Sequence, residues 1–331
     1  MEVVVYGAGA IGSLVGARLH EAGVGLRLIG RNTQVDAITA NGLLVKGPEE
    51  SHVVRLPART TLDGTADVIL LTVKSQDVQD ACRVLAQQHS DATVVTMQNG
   101  VRSDAEAAAI LGRERIVGCV LNISATYLEP GVVEQNTRGL FQVGAPFAES
   151  APRVAGVANL LNTAIRTEEV PDVTRARWTK LMANLNNAIM TITGLPIGKA
   201  LRHPGLARLS IATIREGVRT AQLGGFGLDR SRRARTFRLM AMLPTPLSYR
   251  LFGGRLAGNF PPDSTYGPST LQSLKRGSSS ELEYLNGEIV TLGARIGRPT
   301  PYNSGLLQAG REVFANRRHL TPEELLQKFR F

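Results

Sequence analysis

Apolar residues follow two different rhythms along this chain, and the point where the rhythm changes divides it. Through residue 168, short apolar runs alternate with amphipathic stretches. Val3-Val4-Val5-Tyr6 predicts a buried strand. Leu14, Val15, Ala17, Arg18, Leu19 and Glu21 then read as a helix, stopped at Gly23. Leu26-Arg27-Leu28-Ile29 is the second strand, 35–40 a short helix, and Asn41-Gly42 turns the chain into Leu43-Leu44-Val45. Residues 66–73 are nearly all apolar, as a central parallel strand buried on both faces requires. Further strands are predicted at 93–97, 116–121, 132–136, 140–143 and 165–170. Strands alternating with helices predict an α/β fold with a doubly wound, mostly parallel sheet.

From Pro171 onward strand signals vanish, and residues 169–331 read as an all-helical domain. In 174–193, a period of 3.6 puts Trp178, Leu181, Met182, Leu185, Ile189 and Ile192 on one face. The opposite face carries Lys180, Asn184, Asn187 and Thr191. A solvent face would carry several mixed charges. One lysine among neutral hydrogen-bonding groups is instead the composition of a polar crevice wall. Lysine serves there as a general acid, because desolvation lowers its pKa; the plainer reading is an exposed lysine. A second stripe joins Leu282, Leu285, Ile289, Leu292 and Ile296, with Glu281 at its border. Ser278 and Glu281 have capping-box spacing, so Glu281 reads as a cap, an active-site carboxylate, or both. Residues 240–258, broken by Pro244, Pro246, Gly253, Gly254 and Gly258, read as a lid, a pocket wall or a homodimer contact.

The candidate chemistry of the first half lies at strand ends. Gly7-Ala8-Gly9-Ala10-Ile11-Gly12 is a G-x-G-x-x-G turn between the first strand and the first helix, the context that gives the motif its meaning. Gly7 permits the tight turn, Gly9 lets the backbone approach a pyrophosphate, and Gly12 allows helix and strand to pack closely, as Gly16 does one turn later. The first-turn N–H groups and the helix dipole then hold the phosphates, as in a Rossmann-type domain. The second strand ends in Ile29-Gly30-Arg31-Asn32, without the acid that binds the ribose 2′-hydroxyl of NAD. Gly30 leaves room, and Arg31 offers a planar fork to a 2′-phosphate, so NADP is favoured over an exposed loop arginine. Lys74 and Asn99 follow two further strands at the sheet edge where ligands bind. Asn99 reads either as a hydrogen-bonding group for the nicotinamide, the ribose or a substrate carboxylate, or as a left-handed turn residue before Gly100.

Composition narrows the function. A chain of 331 residues divides naturally into two domains, 1–168 and 169–331. The net charge of +10 raises the question of nucleic acid. Only Arg230, Arg232, Arg233, Arg235 and Arg238 cluster, however, and 5% aromatic residues supply no stacking platform, so no nucleic-acid partner is expected. Cys82 and Cys119 are too few for a disulfide framework and point to a reducing cytoplasm. No Cys/His cluster has metal-ligand spacing, and no apolar run reaches the roughly 18 residues of a membrane span, so neither a metal nor a membrane is expected.

Taken in order, these blocks resemble the ketopantoate reductase (2-dehydropantoate 2-reductase) family along almost the whole chain. The matching blocks are Gly7–Gly12, Arg31, Ala40-Asn41-Gly42, Thr72-Val73-Lys74 and Gln98-Asn99-Gly100-Val101. They continue through Leu128-Glu129-Pro130-Gly131, Trp178-Thr179-Lys180-Leu181-Met182-Ala183-Asn184, Ser269-Thr270-Leu271-Gln272 and Glu281-Leu282-Glu283-Tyr284-Leu285-Asn286-Gly287. The resemblance implies a Rossmann domain followed by a helical one, with the site in the cleft between, and hydride transfer from NADPH to the carbonyl of a small 2-oxo acid. It implies that Lys180 is the general acid and that Glu281 contacts the substrate hydroxyl and the lysine. Asn99, Asn184 and Ser269 would position substrate, with Asn187 added by the polar stripe, and Lys74 and Arg31 would contact the cofactor.

Three departures stand out. Where relatives often place Asn-Pro late in the lysine helix, this chain has Asn187-Ala188 or Ala188-Ile189, depending on register. The turn Leu195-Pro196-Ile197-Gly198 lacks an asparagine, and 230–258 is longer and more apolar than usual. These positions would touch the substrate's far end, not its carbonyl. Two other readings fit less well: another reductase of the wider hydroxyacid dehydrogenase group, and a non-catalytic NADP-binding regulator.

Overall fold

A computed structural model describes residues 1–47, 50–88, 91–258, 270–271, 274 and 280–329, which form two compact units, Met1–Ala176 and Arg177–Phe331. The first unit contains strands β1 (Val3–Tyr6), β2 (Leu26–Ile29), β3 (Leu43–Lys46), β4 (Ser51–Val54), β5 (Ala58–Arg59) and β6 (Val68–Leu71). These are followed by β7 (Thr93–Thr96), β8 (Ile116–Leu121), β9 (Ser124–Glu129), β10 (Val132–Thr137), β11 (Phe141–Gly144) and β12 (Thr167–Glu169). Its helices are α1 (Ala10–Glu21), α2 (Asn32–Asn41), α3 (Val78–Gln88), α4 (Ser103–Leu111) and α5 (Ala151–Asn162).

Eight strands make the main sheet, in the order β12-β11-β8-β7-β6-β1-β2-β5. The run from β8 to β5 is parallel throughout; β11 turns antiparallel against β8. Connections proceed one way from β1 to β2 and the other way from β6 to β7, so strand order reverses between β1 and β6. That is the Rossmann switch point, where the carboxyl ends of strands splay and leave a crevice. Alternate side chains of β1 serve different cores: Val3 and Val5 join Leu14, Val15 and Leu28, whereas Val4 joins Ile69, Val78 and Leu85. Both faces being covered by helices, the strands are continuously apolar, as their sequences predict.

A second sheet, β4-β3-β10-β9, was not legible as a unit, and three of the strands, β4, β5 and β9, go unpredicted. It packs on α1, which is therefore buried on most of its surface from Gly12 to Leu19. The β9–β10 connection turns at Gly131, whose φ is +78°.

Helix α6 (Val173–Asn184) begins in the first unit, where Val173 and Ala176 pack on Val120, and continues into the second. There follow α7 (Asn187–Thr193), α8 (Ile197–Arg202), α9 (Pro204–Leu223), α10 (Arg232–Met242) and α11 (Thr245–Gly258). The last three are α12 (Asn286–Arg295), α13 (Pro301–Asn316) and α14 (Pro322–Leu326). The second unit is helical throughout its described residues. Helix α9 is its axis, packed against α8, α10, α11, α12, α13 and α14.

One expectation needs correction here. The helix predicted over 174–193 is broken at Leu185-Asn186, although neither glycine nor proline stands there. Thr191, in the second half, is buried, its hydroxyl 2.7 Å from that of Thr270, and does not lie on an open polar face. Residues 240–258 are the end of α10 and all of α11. Arg215 and Arg219 of α9 hold that turn by donating to the carbonyls of Met240 and Ala241 at 2.9 and 2.8 Å.

Candidate active site

In the first unit the glycine turn is closed from inside and open outside. The N–H groups of Gly7 and Ala8 both donate to Ile29 O at 2.9 Å, tying the turn to the end of β2. Thr72, just past β6, donates its hydroxyl to Gly7 O at 2.8 Å. A Cβ on Gly7 would lie 2.7 Å from Val73 N, and one on Gly12 would lie 1.9 Å from Gly7 O. Gly9 is the opposite case: it is exposed, and a Cβ there would meet nothing within 4 Å. Gly9 is also the N-cap of α1, and no side chain caps that helix. The first-turn N–H groups of Ala10, Ile11 and Gly12, with the positive end of the helix dipole, thus follow an exposed N-cap that no side chain closes. This cradle fits a dinucleotide pyrophosphate.

Gly16 differs from the sequence reading. A Cβ there would make only ordinary contacts, the nearest at 3.6 Å to Leu56, so close helix–strand packing does not require glycine at that position. Gly30 does have a steric role, but an inward one: its Cβ would lie 2.5 Å from that of Ala8. A side chain there would push on the glycine turn itself.

Arg31 stands two residues past β2 and is the exposed N-cap of α2, with extended backbone at φ −75° and ψ 155°. Lys74 and Asn99 lie just beyond the carboxyl ends of β6 and β7, neighbouring parallel strands, and both are half-buried. Their loops are joined by Gln98, whose amide donates to Leu71 O at 2.7 Å and Val73 O at 3.1 Å, and by Ser75 Oγ, which donates to Asn99 O at 3.2 Å. Asn99 is not a left-handed turn residue. Gly100 takes that conformation, with φ +89°, and Arg317 is the one non-glycine residue with positive φ among those described. The glycine turn, Arg31, Lys74 and Asn99 therefore share one sheet edge at the switch point. Thr72 and Gln98, which hold that edge together, stand in the blocks quoted from the sequence but have no role there; the signal for one is a polar residue at the end of an apolar strand.

In the second unit, α6 presents Lys180 and Asn184 one turn apart, both half-buried. The backbone beneath them is pinned on several sides. Trp178 stacks on Phe226 at a centroid distance of 4.6 Å, Thr179 Oγ1 accepts from Asp229 N at 3.0 Å, and Leu181 and Met182 are buried. A Cβ on Gly217 of α9 would lie 2.6 Å from Leu185 Cδ1, so α9 and the end of α6 are in close contact. Asn187 is not on the same helix as Asn184; it opens α7 beyond the break, half-buried.

Glu281 is half-buried and immediately precedes a 3₁₀ turn, Leu282–Tyr284, that leads into α12. Glu281 stands at the N-cap of that turn, not at its third position, and Leu282 N donates to Ser280 Oγ at 3.1 Å. Ser269 and Ser278 lie outside the described residues. The Glu281 segment and the Lys180 helix are joined by Asn286, which donates to Leu185 O at 3.2 Å, a link no local pattern announces.

Among the described residues no group of three or more His, Cys, Asp or Glu side chains could hold a metal ion, and no helix is long and apolar enough to cross a membrane. Cys82 and Cys119 are buried and form no disulfide, and burial pushes the Cys82 thiol up to about 11.

Residues 3–146 match the family model described as ketopantoate reductase PanE/ApbA, and residues 172–313 match that of its C-terminal region. A 2-dehydropantoate 2-reductase of Pyrococcus horikoshii is 28% identical over 306 residues, covering 92% of this chain and 94% of that one. Its counterpart from Mesorhizobium japonicum is 29% identical over 343 residues, covering 96% and 99%. The crystal structure of a PanE/ApbA family ketopantoate reductase from Ralstonia eutropha JMP134 superposes with a TM-score of 0.81 at 29% identity, covering 96% of this chain and all of that one.

Proposed function

This chain belongs to the ketopantoate reductase family, an oxidoreductase family, and from that premise we propose that it reduces 2-dehydropantoate (ketopantoate) to pantoate with NADPH. The observation that carries the reading is that both family regions match in order, and the second includes the pinned helix bearing Lys180 and Asn184.

Bound NADPH supplies the hydride that adds to the carbonyl carbon. The glycine turn from Gly7 to Gly12 holds the pyrophosphate, and Lys74 adds a positive charge at the same edge. Arg31, at a strand end that lacks an acid, reads the 2′-phosphate and so favours NADPH over NADH. Lys180 gives its ammonium proton to the carbonyl oxygen as negative charge builds there, and its own charge stabilises that oxygen before transfer. Glu281 accepts from the substrate hydroxyl and orients the lysine, while Asn99, Asn184, Asn187 and Ser269 position the 2-oxo acid. Two buried cysteines that form no disulfide suit a reducing cytoplasm.

The test is NADPH oxidation by the purified protein with ketopantoate beside a panel of other 2-oxo acids, repeated with NADH. Rapid turnover of ketopantoate with NADPH is expected. Tight NADPH binding without ketopantoate turnover would overturn the substrate assignment, and a preference for NADH would overturn the role of Arg31.

A further inference from the structure

The break between α6 and α7 leaves a polar problem that the fold solves from far away in sequence. Leu185 N completes α6 by donating to Leu181 O at 3.0 Å. Ile189 N, which a continuous helix would direct to Leu185 O, instead donates to Asn186 O at 3.0 Å. Leu185 is fully buried, so its carbonyl needs another donor. Asn286, also fully buried and 101 residues further on, supplies it through Nδ2 at 3.2 Å.

The orientation of Asn286 is itself fixed by a chain of donors and acceptors. The Glu216 carboxylate can only accept, and Asn303 Nδ2 donates to it at 2.8 Å. The Asn303 amide is thereby turned so that its Oδ1 faces Asn286 Nδ2 at 3.0 Å. Both hydrogens of Asn286 Nδ2 are then committed, one to Asn303 and one to Leu185, and its Oδ1 has no hydrogen-bond partner among the described residues. A buried amide that leaves its oxygen unpaired is held for its donors.

Asn286 lies five positions after Glu281, and Leu185 lies five after Lys180. We propose that Asn286 is a positioning residue for the reduction: its side chain locks the end of the Lys180 helix to the Glu281 segment and so sets the two groups relative to one another. The inference rests on Lys180 and Glu281 acting in the reaction proposed above. It assigns Asn286 no contact with substrate or cofactor.

Asn286→Asp keeps shape and size but faces both neighbouring oxygens with acceptors. Asn286→Ser, which retains one hydroxyl donor, takes its place if the aspartate variant does not fold. Leu325→Ala, a fully buried core truncation elsewhere in the unit, supplies a variant of lowered stability. The readouts are kcat, KM and NADPH Kd well below each variant's Tm, with hydrogen exchange of amides 186–190 and 281–289. Loss of positioning predicts a kcat fall of about tenfold or more with NADPH Kd within about twofold, because small misplacements of reacting groups are costly in rate. It also predicts faster exchange in both segments together. A kcat no lower than that of Leu325→Ala, or faster exchange in 281–289 alone, overturns the proposal. A wild type that turns over no 2-oxo acid removes the functional reading instead, and the exchange comparison still decides whether Asn286 couples the two segments.

Discussion

The hydroxyl of Thr72 donates to the carbonyl of Gly7 at 2.8 Å, across 65 positions of sequence. Thr72 Oγ1 would stand 2.5 Å from a Cβ on Gly12. One threonine past the end of β6 thus fixes the turn that follows β1 and fills the space that would admit a larger residue at the start of α1. The shape of the turn depends on this strand-to-strand clamp as well as on the glycines.

The clamp separates Gly12 from Gly16, which sequence pattern treats alike. Gly12→Ala is expected to destabilise the protein by about 1–3 kcal/mol or more through overpacking, and to weaken NADPH binding with it. Gly16→Ala removes a helix-interior glycine where the new methyl meets nothing nearer than 3.6 Å. It is expected to be neutral or to stabilise by roughly 0.5–1 kcal/mol. Urea denaturation of the two variants checks both; equal destabilisation would show that the close approach at Gly12 does not control the turn.

Arg31 is exposed and begins α2, so its removal leaves the core intact. Arg31→Ala is expected to raise the Kd of NADPH about tenfold to a hundredfold, the scale of losing charge-assisted hydrogen bonds, with NADH changed little. Calorimetric titration of both cofactors decides it. Equal losses for the two would mean that Arg31 does not read the 2′-phosphate.

Lys180 sits on a helix whose neighbouring residues Trp178, Thr179, Leu181 and Met182 are all held by packing or hydrogen bonds. Lys180→Ala should therefore leave the fold and the NADPH Kd unchanged while lowering kcat by about a hundredfold or more, the usual contribution of a general acid. Steady-state kinetics beside cofactor titration would expose the alternative: near-normal turnover removes Lys180 from proton transfer.

Much of this arrangement could be read from local sequence because it has local causes. The β1 strand is apolar on both sides because Val3 and Val5 face one core and Val4 the other. The glycine turn announces itself by spacing. The second sheet did not, because every residue of β9 is at least partly exposed and β4 buries only Val54, so neither carries a period. The break at Leu185-Asn186 has no proline or glycine to mark it, and the donor that satisfies its carbonyl comes from Asn286. Similarly, Gly30 reads as space for a ligand, whereas its missing side chain is explained by Ala8. Features set by distant partners were the ones sequence pattern missed.

Glu216 offers a test of the buried network through pH. Its carboxylate accepts from Tyr302 N at 3.1 Å and Asn303 N at 2.7 Å, which favour the charged form, but burial dominates and raises its pKa above the usual glutamate value. A group whose pKa is higher in the folded state contributes stability below its unfolded pKa and loses it as pH rises through the folded value. Glu216→Gln removes that titration. The unfolding free energy of the wild type minus that of the variant should therefore decline between about pH 4 and about pH 7, the range above the ordinary glutamate pKa. Urea denaturation of both proteins across that range measures the difference. A difference that stayed flat, or rose, would mean that the three N–H donors outweigh burial and hold Glu216 as an ordinary or strengthened carboxylate.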